Sequence, residues 1–242
     1  MKRPFISRTR KPGASALVYG DADKDGYITE EEAAVQRAIS ASTFANNTRI
    51  VSFNEFKWLN FTTSSNNLFT DVRLCKVSNC RKTGISDTNT FYGCVSLERC
   101  IIGNGCDTIS KQAFCNCEAL KEISIPDSVI TIEAGAFSGT GFSEFVYPPY
   151  VTAINGLGDM PRLTRVEIGE NAVSVTGMGN CPLLKTLIIR TSTPPSTDYW
   201  TLLNAPRIPN IHVPDNAVNA YKISNGWSKW AAYIRPMSEV ES

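Results

Sequence analysis

Six residues with oxygen donors, Asp21, Asp23, Asp25, Tyr27, Thr29 and Glu32, fall within the stretch Asp-Ala-Asp-Lys-Asp-Gly-Tyr-Ile-Thr-Glu-Glu-Glu. This is chemistry for a hard cation, because Ca²⁺ takes six to eight oxygen ligands. Asp21, Asp23 and Asp25 offer side-chain oxygens, Tyr27 its backbone carbonyl, and Thr29 a hydroxyl or a bridged water. Glu32 is placed to chelate with both carboxylate oxygens. Gly26 permits the sharp turn such a loop needs, and Ile28 points toward a core. A metal-free alternative stands beside this one: an Asp-rich turn capping the helix that starts at Thr29.

The elements around the loop are lopsided. Thr29 to Ser40 reads as an exiting helix with acids in its first turn, where they complement the helix dipole. Pro12 and Gly13 leave only Ala14 to Gly20 for an entering helix. The loop resembles that of an EF-hand, and a lone loop of this kind resembles half of a dockerin. The resemblance implies a structural Ca²⁺ that pins the helix rather than a paired sensor.

Little else in the chain suggests reactivity. The one histidine is His212, no Ser-His-acid grouping can be argued, and no Gly-rich phosphate loop occurs. Among the 8 cysteines there is no Cys-x-x-Cys pair, and the spacing does not suit zinc. Lys plus Arg is 24 and Asp plus Glu is 23, so no global basic field is available for nucleic acid. Lys2, Arg3, Arg8, Arg10 and Lys11 form a local basic stretch, read as a flexible solvated tail or, alternatively, an anchor for an acidic partner. No apolar stretch of signal-peptide type follows it, and no segment approaches the ~18 residues of a membrane span.

The main signal is internal repetition. Phe91, Phe114 and Phe137 are 23 residues apart, and Cys94/Cys117, Leu97/Leu120, Cys100/Ile123 and Ile109/Ile132 keep that step. Ile123 and Ile125 then map onto Phe145 and Tyr147 at 22, Val166 and Ile168 follow at 21, Leu187 and Ile189 at 21, and Ile211 and Val213 at 24. Each unit holds a short strand with alternate residues inward, as in Ile123-x-Ile125. One unit cannot bury its apolar side alone, so units stack and pair their strands in parallel. Cys94, Cys100 and Cys106 fall in apolar phases, which favours buried free thiols. A Cys94–Cys117 disulfide, one repeat apart, is the alternative.

The stretch from Ala113 to Ile132, with Ala-Phe before and Ile-Ser-Ile-Pro-Asp-Ser-Val after the turn, resembles the repeat of BspA-like leucine-rich-repeat proteins. Val51 to Phe56 is similar to the entry segment of that family. Ile211-His212-Val213-Pro214, with Val218, Tyr221, Trp227, Trp230, Ile234 and Pro236, is similar to its closing unit. Gly156, Gly158, Gly177 and Gly179 depart from the Ala-Phe pattern, which bears on the backs of those units. The resemblance implies an α/β solenoid: a curved leucine-rich repeat with short parallel strands, preceded by a small helical EF-hand-like segment. It also implies attachment rather than catalysis, at a cell surface or in secreted form.

The expected organisation is a basic tail at 1–13, the loop and helix at 14–44, a degenerate N-terminal repeat or cap at 45–90, the solenoid at 91–214 and a C-terminal cap at 215–242. Strand alternation then fixes two outward rows. One is Arg99, Glu122, Glu144, Arg165, Thr186 and Asn210; the other is Ile101, Ser124, Val146, Glu167, Ile188 and His212. Ile101, Val146 and Ile188 would form an exposed apolar stripe, and this sheet face is the expected protein-partner surface. Two other roles remain open: a structural component of a phage virion or appendage, and a glycan-binding module using Tyr221, Trp227, Trp230 and Tyr233. The expected location is extracellular or on the cell surface if a leader has been removed. Otherwise, with no leader visible, it is virion-associated or cytoplasmic.

Overall fold

A computed structural model of the chain describes residues 52–53, 76–80, 89–104, 106–202 and 204–240. The calcium-loop residues and the helix expected at Thr29 to Ser40 lie outside the described residues.

Short strands follow one another along the chain. They are β1 (Ser52–Phe53), β2 (Lys76–Cys80), β3 (Arg99–Ile102), β4 (Thr108–Ile109) and β5 (Glu122–Ser124). Next come β6 (Thr131–Ile132), β7 (Glu144–Val146), β8 (Ala153–Ile154), β9 (Arg165–Ile168) and β10 (Ser174–Val175). β11 (Thr186–Ile189), β12 (Ser196–Thr197), β13 (Asn210–Val213), helix α1 (Val218–Ile223) and β14 (Ile234–Pro236) complete the order. Every pairing is parallel and joins equivalent positions of successive coils. β4, β6, β8, β10 and β12 form one ladder. The outward ladder runs β1-β2-β3-β5 and then β7-β9-β11-β13-β14. The chain is a solenoid of parallel-stranded coils.

The repeated apolar residues fill the space between the ladders. Phe91, Phe114, Cys100, Leu120, Val166, Leu187 and Ile211 are all fully buried. Phe91 stacks on Phe114 with centroids 5.0 Å apart, and Phe114 on Phe137 at 5.4 Å. Such ring pairs add to the burial of their area. Cys100, Cys115, Cys117 and Cys181 are buried free thiols, and Cys94 and Cys106 are buried as well. Cys117 Sγ donates to the Phe91 carbonyl at 3.0 Å, and Cys181 Sγ to that of Leu157 at 3.2 Å.

Two sharp turns shape each coil. Asn89, Gln112, Gly135, Gly156 and Gly177 hold the first in left-handed backbone, and Gly93, Asn116, Gly139, Asp159, Asn180 and Asn204 the second. Asn, Asp and Gly recur there because they tolerate positive φ. The second set also bonds from coil to coil: Asn180 Nδ2 donates to Asp159 Oδ1 at 2.7 Å, and Asn204 Nδ2 to Asn180 Oδ1 at 2.9 Å. The glycine-rich backs at 156–158 and 177–179 therefore keep the turn that the earlier coils make. Leu157, Met160, Met178 and Cys181 close the core behind them.

The C-terminal end is sealed by aromatics. Tyr221 and Trp227 are buried, with ring centroids 5.6 Å apart, and Trp227 meets Trp230 at 5.6 Å. Trp227 Nε1 donates to the Pro195 carbonyl at 2.7 Å, and Tyr221 Oη to that of Thr191 at 2.9 Å. These rings pack over the open end of the solenoid, which needs a cap. β14 then adds one more parallel strand beside β13.

Candidate functional site

The two expected outward rows are present in register. Arg99 sits beside Glu122 and Ile101 beside Ser124. Glu144, Arg165, Thr186 and Asn210 form one line, and Val146, Glu167, Ile188 and His212 the other. The side chains differ sharply in accessibility along these lines. Arg99, Glu122, Ser124, Glu144, Val146 and Asn210 are exposed; Ile101, Arg165, Glu167 and Thr186 are half-buried.

Ile188 and His212 depart from the expectation of outward exposure, at 2% and 7%. The chain beyond β14 returns over that end of the sheet. His212 Nδ1 lies 3.2 Å from the Pro236 carbonyl oxygen, and Arg190 Nη1 reaches Met237 Sδ at 3.7 Å. The expected apolar stripe is thereby reduced to Val146, which is 59% exposed, with Ile101 half-buried beside it. The aromatics that suggested a sugar platform are also mostly committed: Tyr221, Trp227 and Trp230 are buried and only Tyr233 is exposed.

Charge on this face pairs within the molecule. Arg99 forms an ion pair with Glu122, and Arg165 Nη1 lies 3.8 Å from Glu144. Glu167 is held between Arg190, whose Nε lies 2.6 Å away, and Arg165. Partial burial pushes the Glu167 carboxyl up. The hydrogen bonds from Arg190 and Arg165 outweigh burial and hold it below the usual carboxylate value. Exposed pairs of this kind contribute less than ~1 kcal/mol each, so they set the register of charge more than they stabilise the sheet.

The outward ladder is broken once. No backbone hydrogen bond joins β5 to β7, although the equivalent neighbours β3/β5 and β7/β9 are paired. The coil after the break carries Phe142, Phe145 and Tyr147 where its predecessor carries Leu120, Ile123 and Ile125. Phe145 packs on Phe137, Phe142 and Tyr147 at 5.0–5.3 Å between centroids. The back of the same coil stays closed, with Phe114 N donating to Ala136 O and Asn116 N to Ser138 O, both at 2.8 Å. Larger rings on one side and intact pairing on the other splay β7 from β5. A groove of about 640 Å³ opens between them, lined by Glu122, Ile123, Ile125, Glu144, Phe145 and Val146 among others. The step shortens from 23 to 22 residues at this break, and the cluster of three aromatics in one unit is the signal that marks it.

Among the described residues no three of His, Cys, Asp and Glu converge as a metal site. No described helix is long and apolar enough to cross a membrane.

The BspA type leucine rich repeat region matches residues 37–157 in six copies. No curated protein matches the chain. Among solved structures, a leucine-rich repeat protein from Bacteroides ovatus is 22% identical with a TM-score of 0.46, over 70% of this chain and 44% of that one. A leucine rich cell surface protein from Faecalibacterium prausnitzii is 19% identical with a TM-score of 0.41, over 75% and 64%. The chain thus spans under half of the first and under two thirds of the second. The repeat match covers half of the chain and takes in its coils as far as β8, and the chain belongs to the BspA type leucine-rich-repeat family.

Proposed function

We propose that the chain is a non-enzymatic protein-binding module that meets its partner with the outward sheet face around β3, β5 and β7. The observation that carries this is the asymmetry of the face. Arg99, Glu122, Ser124, Glu144 and Val146 stay accessible, whereas Ile188 and His212, at the other end of the same rows, are buried. Strands already paired to β3 on one side and β9 on the other present such groups largely pre-ordered, which limits the entropy lost by association. Adhesion at a cell surface or in secreted form is the setting this reading takes from the family resemblance.

The test compares capture from the native source by the wild-type chain, Val146→Asp and Ile223→Asp. Ile223 is 83% exposed on α1, which packs beside β14 at the C-terminal end rather than beside β3, β5 and β7. The proposal expects a partner lost with Val146→Asp and kept with Ile223→Asp. Equal capture by all three would remove the sheet face as the partner surface.

The same reading assigns a structural Ca²⁺ to Asp21, Asp23, Asp25, Tyr27, Thr29 and Glu32, supported by the loop pattern in the sequence. Calorimetric titration of the metal-free chain should release heat that Asp25→Ala abolishes, and Ca²⁺ should raise the unfolding temperature. Heat unchanged by the substitution would retire the assignment.

A further inference from the structure

The break between β5 and β7 leaves two parallel strand edges facing each other with no backbone hydrogen bond between them. Elsewhere the ladder is paired throughout, from β1 to β5 and from β7 to β14. Unpaired edges are templates for another strand, and addition of an extended segment to a sheet edge is a common mode of peptide recognition. Here an incoming strand would find an edge on each side. Beneath it lie the inward residues Ile123 and Ile125, half-buried, and the rings of Phe145 and Tyr147.

We infer that the groove accepts an extended segment of a partner protein as an added parallel strand, with Lys or Arg seated between Glu122 and Glu144. The charge order of the outward row supplies the specificity. It reads Arg99, Glu122, break, Glu144, Arg165, with the two outer ion pairs already made. Two glutamates thus border the opening, and one cation between them completes an alternating line. The floor sets the rest of the pattern. The residues one and three positions after the cation point inward and are apolar, in phase with Ile123 and Ile125.

The chain's own strands on either side of the break have this pattern. β3 reads Arg-Cys-Ile-Ile and β9 reads Arg-Val-Glu-Ile, and each pairs with the far edge of β5 or β7 in the register the segment would adopt. The added strand would repeat that arrangement on the near edges. Gly141 lies close behind the groove, where a Cβ would meet the carbonyl oxygens of Glu118 and Leu120. The two coils therefore touch just before the opening begins.

The inference rests on the protein-binding reading and names how the same face would engage its partner, and the two can still fail separately. The probe is a fluorescein-labelled peptide of sequence Thr-Arg-Val-Glu-Ile-Gly, taken from Thr164 to Gly169, titrated with the full chain by anisotropy. Saturable binding tighter than about 1 mM is expected. Glu144→Lys, or Arg replaced by Glu in the peptide, should each weaken it about tenfold, and the two changes together should restore it. No binding at about 1 mM, or binding indifferent to the charge exchange, would overturn strand addition. Loss of the natural partner with Val146→Asp while the peptide fails to bind would overturn the added strand alone. A bound peptide with partner capture insensitive to Val146→Asp would overturn the face reading alone.

Discussion

Glu122 and Glu144 hold equivalent positions in successive coils, yet the strands that carry them are not hydrogen-bonded to each other. Each glutamate instead faces an arginine on its far side, Arg99 or Arg165. The outward ladder is therefore two stretches sharing one core, and Glu122, Ser124, Glu144 and Val146 stay exposed along the line between them.

Amide exchange should reveal that line. Segments 121–127 and 142–149 have strand edges without partners, whereas 164–169 and 185–190 are paired on both sides. Local opening is cheapest where backbone bonds are fewest. Exchange in the first two segments should be about tenfold faster or more, read by mass spectrometry. Equal rates would mean that β5 and β7 pair in solution.

The stacked phenylalanines should dominate stability. Phe114 is fully buried between Phe91 and Phe137. Phe114→Ala should cost about 3–5 kcal/mol, measured by urea unfolding. A loss below about 1 kcal/mol would show that the stack contributes little.

Gly156 should resist replacement. Its φ is +116°, and a Cβ there would lie 2.9 Å from the Glu133 carbonyl oxygen. Gly156→Ala is expected to destabilise by about 1–3 kcal/mol, measured by urea unfolding, and an unchanged midpoint would show that the turn relaxes without cost.

The Glu167 network predicts an acid response. A carboxylate held below its unfolded value adds stability that is complete above that value, about 4.3, and disappears as pH falls through the depressed one. Glu167→Gln should lower stability near pH 7 by about 1 kcal/mol, a modest figure because Arg190 is nearly half exposed. The difference between wild type and variant should shrink toward zero as the solution is acidified below that range. A difference that stays constant with pH would exclude the ion pairs as its origin.

The thiols should be inert in the folded state. Burial pushes the Cys117 thiol well above its ordinary value, with Cys94 beside it adding to the shift, and burial pushes Cys181 up to about 11. Thiolate is the reactive form, so site-resolved alkylation at pH 8 should spare both until denaturant is added.

Much of this architecture is legible in the residues themselves. The interval between Phe91, Phe114 and Phe137, and the alternation Ile123-x-Ile125, suffice to place the strands and both outward rows, because stacked coils repeat their register. Ile188 and His212 escape that logic. His212 lies beside a strand beyond the recognised repeats, although Ile234-x-Pro236 continues the Ile211-x-Val213 phase at a step of 23. The opening at Phe142, Phe145 and Tyr147 escapes it too, since a repeat count records that positions are apolar and not how large their side chains are.

The central claim is that the accessible half of the outward sheet is where a protein partner sits. Placing a photo-crosslinking residue at Val146, and separately at Ile223, and exposing each chain to extracts of its native source tests this directly. The account predicts a discrete crosslinked protein from position 146 and none from 223. A crosslink from 223 alone, or the same product from both, would contradict it.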